Sequence, residues 1–252
     1  MWDKRSGVTQ DDTSGIVHTV PSSNASLIAV RGAITGGEKM EYHKIETLYE
    51  RDDATHRLKP ELVLKNRTYS LIKSWLWTEK IDGTNMRVIW DVATGKLTFG
   101  GKTDNAQIHA DLIKWLYENV SAAKLQEMFP AEEGSGNDVV IYGEGYGAGI
   151  QKGGGDYSPV KKLIVFDVLV GGKWWLSYEN VCDVAGKLGI EVVPSFGEMT
   201  LEDATEFVRK GFKSKCAVNL GKDAEGLVGR PLECLFDKKG HRLITKLKTK
   251  DF

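Results

Sequence analysis

Lys246 and Lys248 close the segment His241-Arg242-Leu243-Ile244-Thr245-Lys246-Leu247-Lys248. Strand periodicity puts their ammonium groups on one face and Leu243, Thr245 and Leu247 on the other. Two cations so placed can clamp phosphate oxygens. Taken alone, the pair reads equally as a solvated strand edge guarded by charge. A third lysine, Lys80, lies in Glu79-Lys80-Ile81-Asp82-Gly83-Thr84-Asn85, at the end of an apolar run. Alone it reads as a surface turn with a solvated lysine. Three more polar groups sit at or within apolar runs downstream. Glu144 ends Val140-Ile141-Tyr142-Gly143-Glu144-Gly145, Phe166-Asp167 lies inside Leu163 to Val170, and Glu225 opens Glu225-Gly226-Leu227-Val228.

Other site chemistries fail on spacing. Gly101-Lys102-Thr103 ends like a P-loop, but Lys96 stands where the first glycine is needed. The cluster Gly143, Gly145, Gly147, Gly149 lacks the G-x-G-x-x-G order, with Ala148 at the third glycine's place. No helix is expected after it, because Gly153-Gly154-Gly155 and Pro159 follow; both points argue against a dinucleotide fold. Five scattered histidines show no zinc spacing, and Cys182, Cys216 and Cys234 form no C-x-x-C pair, which suits a reducing compartment. Net charge is -1, from 34 basic and 35 acidic side chains, so any nucleic-acid surface must be local. No apolar run approaches the roughly 20 residues a bilayer requires. The expectation is a soluble, cytoplasmic protein with no membrane partner.

The elements that must position these groups alternate in short units. Residues 1–37 are rich in Ser, Thr, Gly and Asp and read as an extension of unknown role, with one candidate strand around Ala25 to Val30. Residues 38–252 read as one domain. Trp75 to Ile81 is a strand, and Met86 to Trp90 turns through Ala93-Thr94-Gly95 into Lys96 to Phe99 as a hairpin. Ile108, Leu112, Trp115, Leu116 and Asn119 follow helical spacing up to Pro130. Val139 to Tyr142 and Leu163 to Val170 are buried strands, the second turning at Gly171-Gly172 into Lys173 to Leu176. A helix from Tyr178 to Leu188 is capped by Ser177 and stopped by Gly189, and another opens at Thr200 with Asp203 completing a capping box. Strands outnumber helices and tight turns join many of them. The expected class is α+β, with largely antiparallel sheets and flanking helices.

The ordered set K-x-D-G, glutamate strand, aromatic strand, E-G turn and K-x-K strand resembles the covalent nucleotidyltransferase superfamily of ATP-dependent DNA and RNA ligases and capping enzymes. The resemblance covers roughly residues 40 to 252. Within it the chain looks most like the ligases that seal nicks in duplex RNA. Asn85 fits their K-x-[HD]-G-x-N pattern, and Tyr42 to Arg51 and Tyr146 to Gly154 are similar to their corresponding segments. Asp82 departs from the histidine common in that branch. Lys102 stands near the family's phosphate-binding arginine, without its bidentate geometry.

The resemblance implies a phosphodiester-joining enzyme that uses ATP and Mg²⁺ or Mn²⁺ and adenylylates itself on Lys80. Lys246 and Lys248 would hold the α-phosphate, Glu144 the ribose and Phe166 the adenine face, with Glu225 as metal ligand. Glu79, Asp82, Asn85 and Lys102 complete the nucleotide set, and Lys152 and Arg230 are candidate nucleic-acid contacts. Glu79 has an alternative as a solvated strand end, Phe166 as a plain core aromatic, and Lys152 and Arg230 as solvated cations. The implied partner is RNA with nicked or single-stranded ends, with DNA as a second class. The chain ends four residues after Lys248, so no C-terminal oligonucleotide-binding barrel is expected. An accessory protein, the N-terminal arm or the Gly145–Gly155 loop would then grip the nucleic acid. The compactness is similar to that of phage enzymes. A DNA ligase, a capping guanylyltransferase and an inactive binding module are the competing readings.

Overall fold

The computed structural model describes the backbone of Leu27–Ala29 and residues 40–131 and 138–252. Thirteen strands and five helices follow in chain order: β1 (Leu27–Ala29), β2 (Glu46–Thr47), β3 (Trp75–Glu79), β4 (Thr84–Asp91), β5 (Lys96–Gly100), β6 (Gln107–His109), α1 (Ala110–Asn119), α2 (Ala122–Met128), β7 (Val139–Tyr146), α3 (Gly154–Tyr157), β8 (Lys162–Val170), β9 (Trp174–Trp175), α4 (Tyr178–Leu188), β10 (Glu191–Val192), β11 (Ser195–Met199), α5 (Leu201–Arg209), β12 (Gly226–Pro231) and β13 (Thr245–Lys248).

Two sheets carry the site. One runs β10-β8-β7-β4-β5, with β9 beside β8, and the other runs β11-β3-β12-β13-β2. Pairing is antiparallel except β10 on β8 and β13 on β2, so the expected largely antiparallel α+β class holds. The first sheet turns Met86, Val88, Trp90, Val139, Ile141, Leu163 and Val165 toward Leu112 and Leu116 of α1, Leu125 of α2 and Val181 of α4. The second packs Trp75, Trp77, Leu227 and Leu247 against Leu201, Ala204 and Val208 of α5. Trp75 and Trp77 are fully buried, and truncating such a side chain costs about 3–5 kcal/mol. Each sheet thus has its own helix-backed core. Smaller clusters, among them Ile81, Tyr146 and Ile164, fill the region near the site.

The capped helices lie where the sequence puts them. Ser177 accepts the Asn180 amide, Gly189 takes the left-handed conformation (φ 79°) that ends α4, and Thr200 and Asp203 close the cap of α5. The helix expected from Ile108 to Pro130 is instead a strand and two helices. Ile108 lies on β6, and Ser121 caps a second helix by accepting the Lys124 amide. A single turn of helix, α3, does follow the glycine cluster, against the expectation of none. The candidate strand near Ala25 to Val30 exists over Leu27–Ala29, antiparallel to β6. The rest of residues 1–37 lies outside the described residues.

Candidate functional site: a pocket beside paired lysines

The end of β3 delivers Lys80. Its backbone N–H donates to the Gly226 carbonyl (2.9 Å), and Leu227 pairs with Glu79 across the ladder, so the K-x-D-G and E-G segments lie side by side. Gly226 also pairs with Lys248 on β13. A Cβ on Gly226 would sit 2.0 Å from the Leu247 carbonyl oxygen and 2.8 Å from the Lys248 Cα, so the close approach of these strands requires glycine there. The three functional groups consequently meet. Lys80 Nζ lies 2.6 Å from Glu225 Oε2, and Lys248 Nζ lies 3.1 Å from Glu225 Oε1. The row expected on β13 is present: Thr245 and Leu247 are buried while Lys246 and Lys248 are half-buried on the other face. Its regular strand is shorter than the sequence suggested, beginning at Thr245. Burial, with Lys248 and Lys80 nearby, pushes the Lys246 ammonium down to about 8.

The opposite wall comes from the other sheet. Asn85 on β4 pairs directly with Glu144 on β7. Burial pushes the Glu144 carboxyl up to about 8, with Lys80 opposing and Glu225 and Asp82 adding to the rise. Gly83 fits under this pair, since a Cβ there would lie 2.3 Å from the Gly145 carbonyl oxygen and 2.8 Å from the Glu144 Cγ. The Gln151 amide donates to the Gly83 carbonyl at 3.0 Å, tying the loop before α3 to the lysine motif.

Between the walls is a pocket with about 570 Å³ of open space, lined by Lys80, Asn85, Glu144 and Phe166 with apolar Ile45, Val193 and Val228 among its neighbours. A bulge in β8 shapes it. Tyr142 pairs with Asp167 and Gly143 with Val165, leaving Phe166 without a register partner. Phe166 and Asp167 therefore both line the pocket although they are adjacent in sequence. Asp167 is buried and accepts from Tyr42 Oη (2.7 Å), from Arg230 and from Arg242. Arg230 also donates to the Phe166 carbonyl at 3.2 Å, and the Tyr42 ring meets Phe166 edge-on with centroids 5.1 Å apart. This cluster fixes the aromatic from behind. Two polar atoms of the lining, Asn85 Oδ1 and Arg230 Nε, are buried without a partner. Such groups are costly unless a ligand or water meets them, so the pocket suits a ligand carrying both hydrogen-bond donors and acceptors.

Several expected residues are placed differently. Arg230 is buried with Asp167 and lines the pocket, so it is not a solvated cation. Glu79 is not a solvated strand end: its buried carboxylate accepts from the Ser214 hydroxyl and, at 2.8 Å, from the Lys215 amide, while the residue still borders the pocket. Asp82 and Lys102 are exposed and outside the pocket lining, and Lys152 is exposed in the turn before α3. Among the described residues, no group of three His, Cys, Asp or Glu side chains could hold a metal, and Glu225 is the carboxylate paired with Lys80 and Lys248. Sequence reasoning gave no role to Asp167 or Arg242. A charged residue inside an apolar run was the signal for the first, and strand parity with Lys246 and Lys248 for the second.

These features define a nucleotidyltransferase-type domain in which one lysine meets a carboxylate, a second lysine and an aromatic-walled pocket. The RNA ligase family model matches residues 73–248, and the chain belongs to that family. Among solved structures it is similar to the Naegleria gruberi RNA ligase with PPi, at TM-score 0.60 and 17% identity, covering 92% of this chain and 62% of that one. It is also similar to a lysine-to-alanine mutant of that ligase with ATP and Mn, at TM-score 0.58 and 17% identity, covering 90% and 62%. An arginine-to-alanine mutant with ATP and Mn gives TM-score 0.57 at 17% identity, covering 89% and 61%. The chain thus spans less than two thirds of the length of these proteins, and at such identity the likeness speaks to the fold. No curated protein matches the chain. The described residues contain no oligonucleotide-binding barrel, and no helix among them is long and apolar enough to cross a membrane.

Proposed function

We propose that this chain is an ATP-dependent RNA ligase that joins 5′-phosphate to 3′-hydroxyl ends through a covalent AMP on Lys80. The observation that carries the reading is the Lys80–Glu225–Lys248 ion chain beside a pocket walled by Phe166. Family membership and the ATP and Mn of the matched Naegleria structures support it.

In the first step the Lys80 amine attacks the α-phosphorus of ATP; an N–P bond forms and pyrophosphate leaves. The AMP then passes to an oxygen of the RNA 5′-phosphate, releasing Lys80. Finally the 3′-hydroxyl attacks that 5′-phosphorus and AMP departs. Lys80 has to leave the Glu225 carboxylate as a neutral amine before it can attack. Lys246 and Lys248 neutralise the α-phosphate oxygens as charge redistributes. Glu144 holds the ribose hydroxyls, and its buried carboxyl, titrating near 8, is able to donate as well as accept. Phe166 stacks on adenine, held by the Asp167 cluster. Glu79 and Asn85 serve the pocket side of the nucleotide, and Asp82 and Lys102 the phosphate side. A bound divalent cation supplies charge neutralisation on the phosphates. Glu225 would be the residue to hold it once the lysines release its oxygens, since Mg²⁺ takes one or two carboxylates and keeps several waters. Lys152 is the candidate RNA contact of the loop before α3.

The test is incubation with a divalent cation and α-labelled ATP or GTP, beside Lys80→Ala. Acid-labile label from ATP alone, absent in the variant, is the expected result, followed by sealing of 5′-phosphorylated RNA. Label from GTP points to capping chemistry instead. No label from either, on protein whose mass shows no bound AMP, overturns the reading.

A further inference from the structure

A second cavity, larger than the nucleotide pocket, lies on the other side of the Tyr42–Asp167–Arg242 cluster, and Ile244, just before β13, lines both. Its walls carry six Lys or Arg side chains (Lys44, Lys65, Arg67, Lys238, Lys239 and Arg242) against three carboxylates, Glu41, Glu46 and Asp237. The whole chain carries a net charge of -1, so this cationic excess is concentrated locally. Two of the carboxylates are already engaged. Glu46 takes both Lys44 (2.9 Å) and Lys65 (2.6 Å), and Asp237 accepts the Lys239 and His241 amides. Arg67, Lys238 and Lys239 have no carboxylate within ion-pair distance among the described residues, and all three are exposed. Phe236, half exposed, bridges to Arg242 across the turn that carries Lys238 and Lys239, and it lines the same cavity. Unpaired cations next to an exposed aromatic form the combination that follows a sugar–phosphate backbone and stacks bases.

We infer that this groove binds the RNA strand flanking the end to be joined, with Arg67, Lys238 and Lys239 on its phosphates. The inference rests on the ligase reading and adds to it a surface for the nucleic acid. An acidic protein would meet the same charge, but it would give Phe236 no base to stack on.

The test compares wild type with the triple variant Arg67→Glu, Lys238→Glu, Lys239→Glu, using single-stranded 5′-phosphorylated RNA and nicked duplex RNA over a salt series. The expected result is at least about a tenfold weaker complex near 0.1 M salt and a salt slope shallower by about 2, as for three lost phosphate contacts on a single strand. Loss on one substrate alone identifies whether a single strand or a duplex occupies the groove. Phe236→Ala weakens single-strand binding alone if its ring stacks a base. All these side chains are exposed and outside the nucleotide pocket, so labelling of Lys80 from ATP stays at the wild-type level and reports an intact fold. Affinity and slope unchanged on both substrates overturn the inference. Failure of the ligase reading appears separately, as wild-type protein that takes no covalent label from ATP.

Discussion

Lys80 Nζ stands 2.6 Å from Glu225 Oε2, and the other oxygen of that carboxylate takes Lys248. One carboxylate thus holds two ammonium groups together in a half-buried site, where like charges would otherwise repel. Glu225→Ala should leave the two lysines uncompensated while the backbone pairing of Gly226 persists. Labelling from ATP should fall by about 10²–10³, the scale for removing a preorganised electrostatic partner, with the unfolding midpoint little changed. Glu225→Asp should recover part of the activity. Wild-type labelling in Glu225→Ala would show that the ion chain is incidental.

Gly226→Ala tests the close approach that builds this chain. The new Cβ would fall 2.0 Å from the Leu247 carbonyl oxygen, a backbone atom that cannot rotate away. Separating β12 from β13 should cost about 1–3 kcal/mol and weaken labelling at the same time, since Lys248 moves with β13. Denaturant melts read the first effect and ATP labelling the second. A variant as stable as wild type would mean the strands part without strain.

Asp167 is the common partner of Tyr42, Arg230 and Arg242 behind Phe166. Asp167→Ala buries two guanidinium groups without their counter-charge, for which about 3–5 kcal/mol of lost stability is expected. Equilibrium denaturation measures it. The milder Phe166→Leu should retain stability and raise the ATP concentration needed for labelling, because only the stacking face is lost. Equal ATP dependence in Phe166→Leu and wild type would assign the ring to the core.

His43 gives a pH signature. Burial, helped by Arg242 and His241 and opposed by Asp167, pushes its imidazole down to about 4. Because the folded form disfavours the proton, the unfolded chain binds it first, near the ordinary 6.5. Stability contributed by neutral His43 is therefore full above about pH 6.5 and is lost as pH falls toward 4, at up to about 1.4 kcal/mol per pH unit. In His43→Gln that component vanishes, so the stability difference from wild type should change across this window and be constant above it. A difference independent of pH between 4 and 7 would contradict the burial of the ring.

Much of this was readable in the residues themselves. Local signals are short-range, so the hairpin through Gly95, the Ser177 and Thr200 caps, the Gly189 stop and the Lys246/Lys248 face all followed from spacing. The motif order along the chain carried the resemblance to nucleotidyltransferases, and that resemblance, rather than any spacing, implied the lysine chemistry. What spacing could not show is where non-local partners meet. Strict alternation would send Phe166 and Asp167 to opposite faces, and only the bulge opposite Tyr142 and Gly143 turns both toward the pocket. Arg230 looks like any surface cation in sequence; its burial depends on Asp167, 63 residues away. Glu79 is likewise decided by Ser214 and Lys215, on the loop between α5 and β12, more than 130 residues away in sequence. Residue types and periods thus determine the elements and the reactive groups, while long-range pairing decides which groups share a site and which are spent holding it.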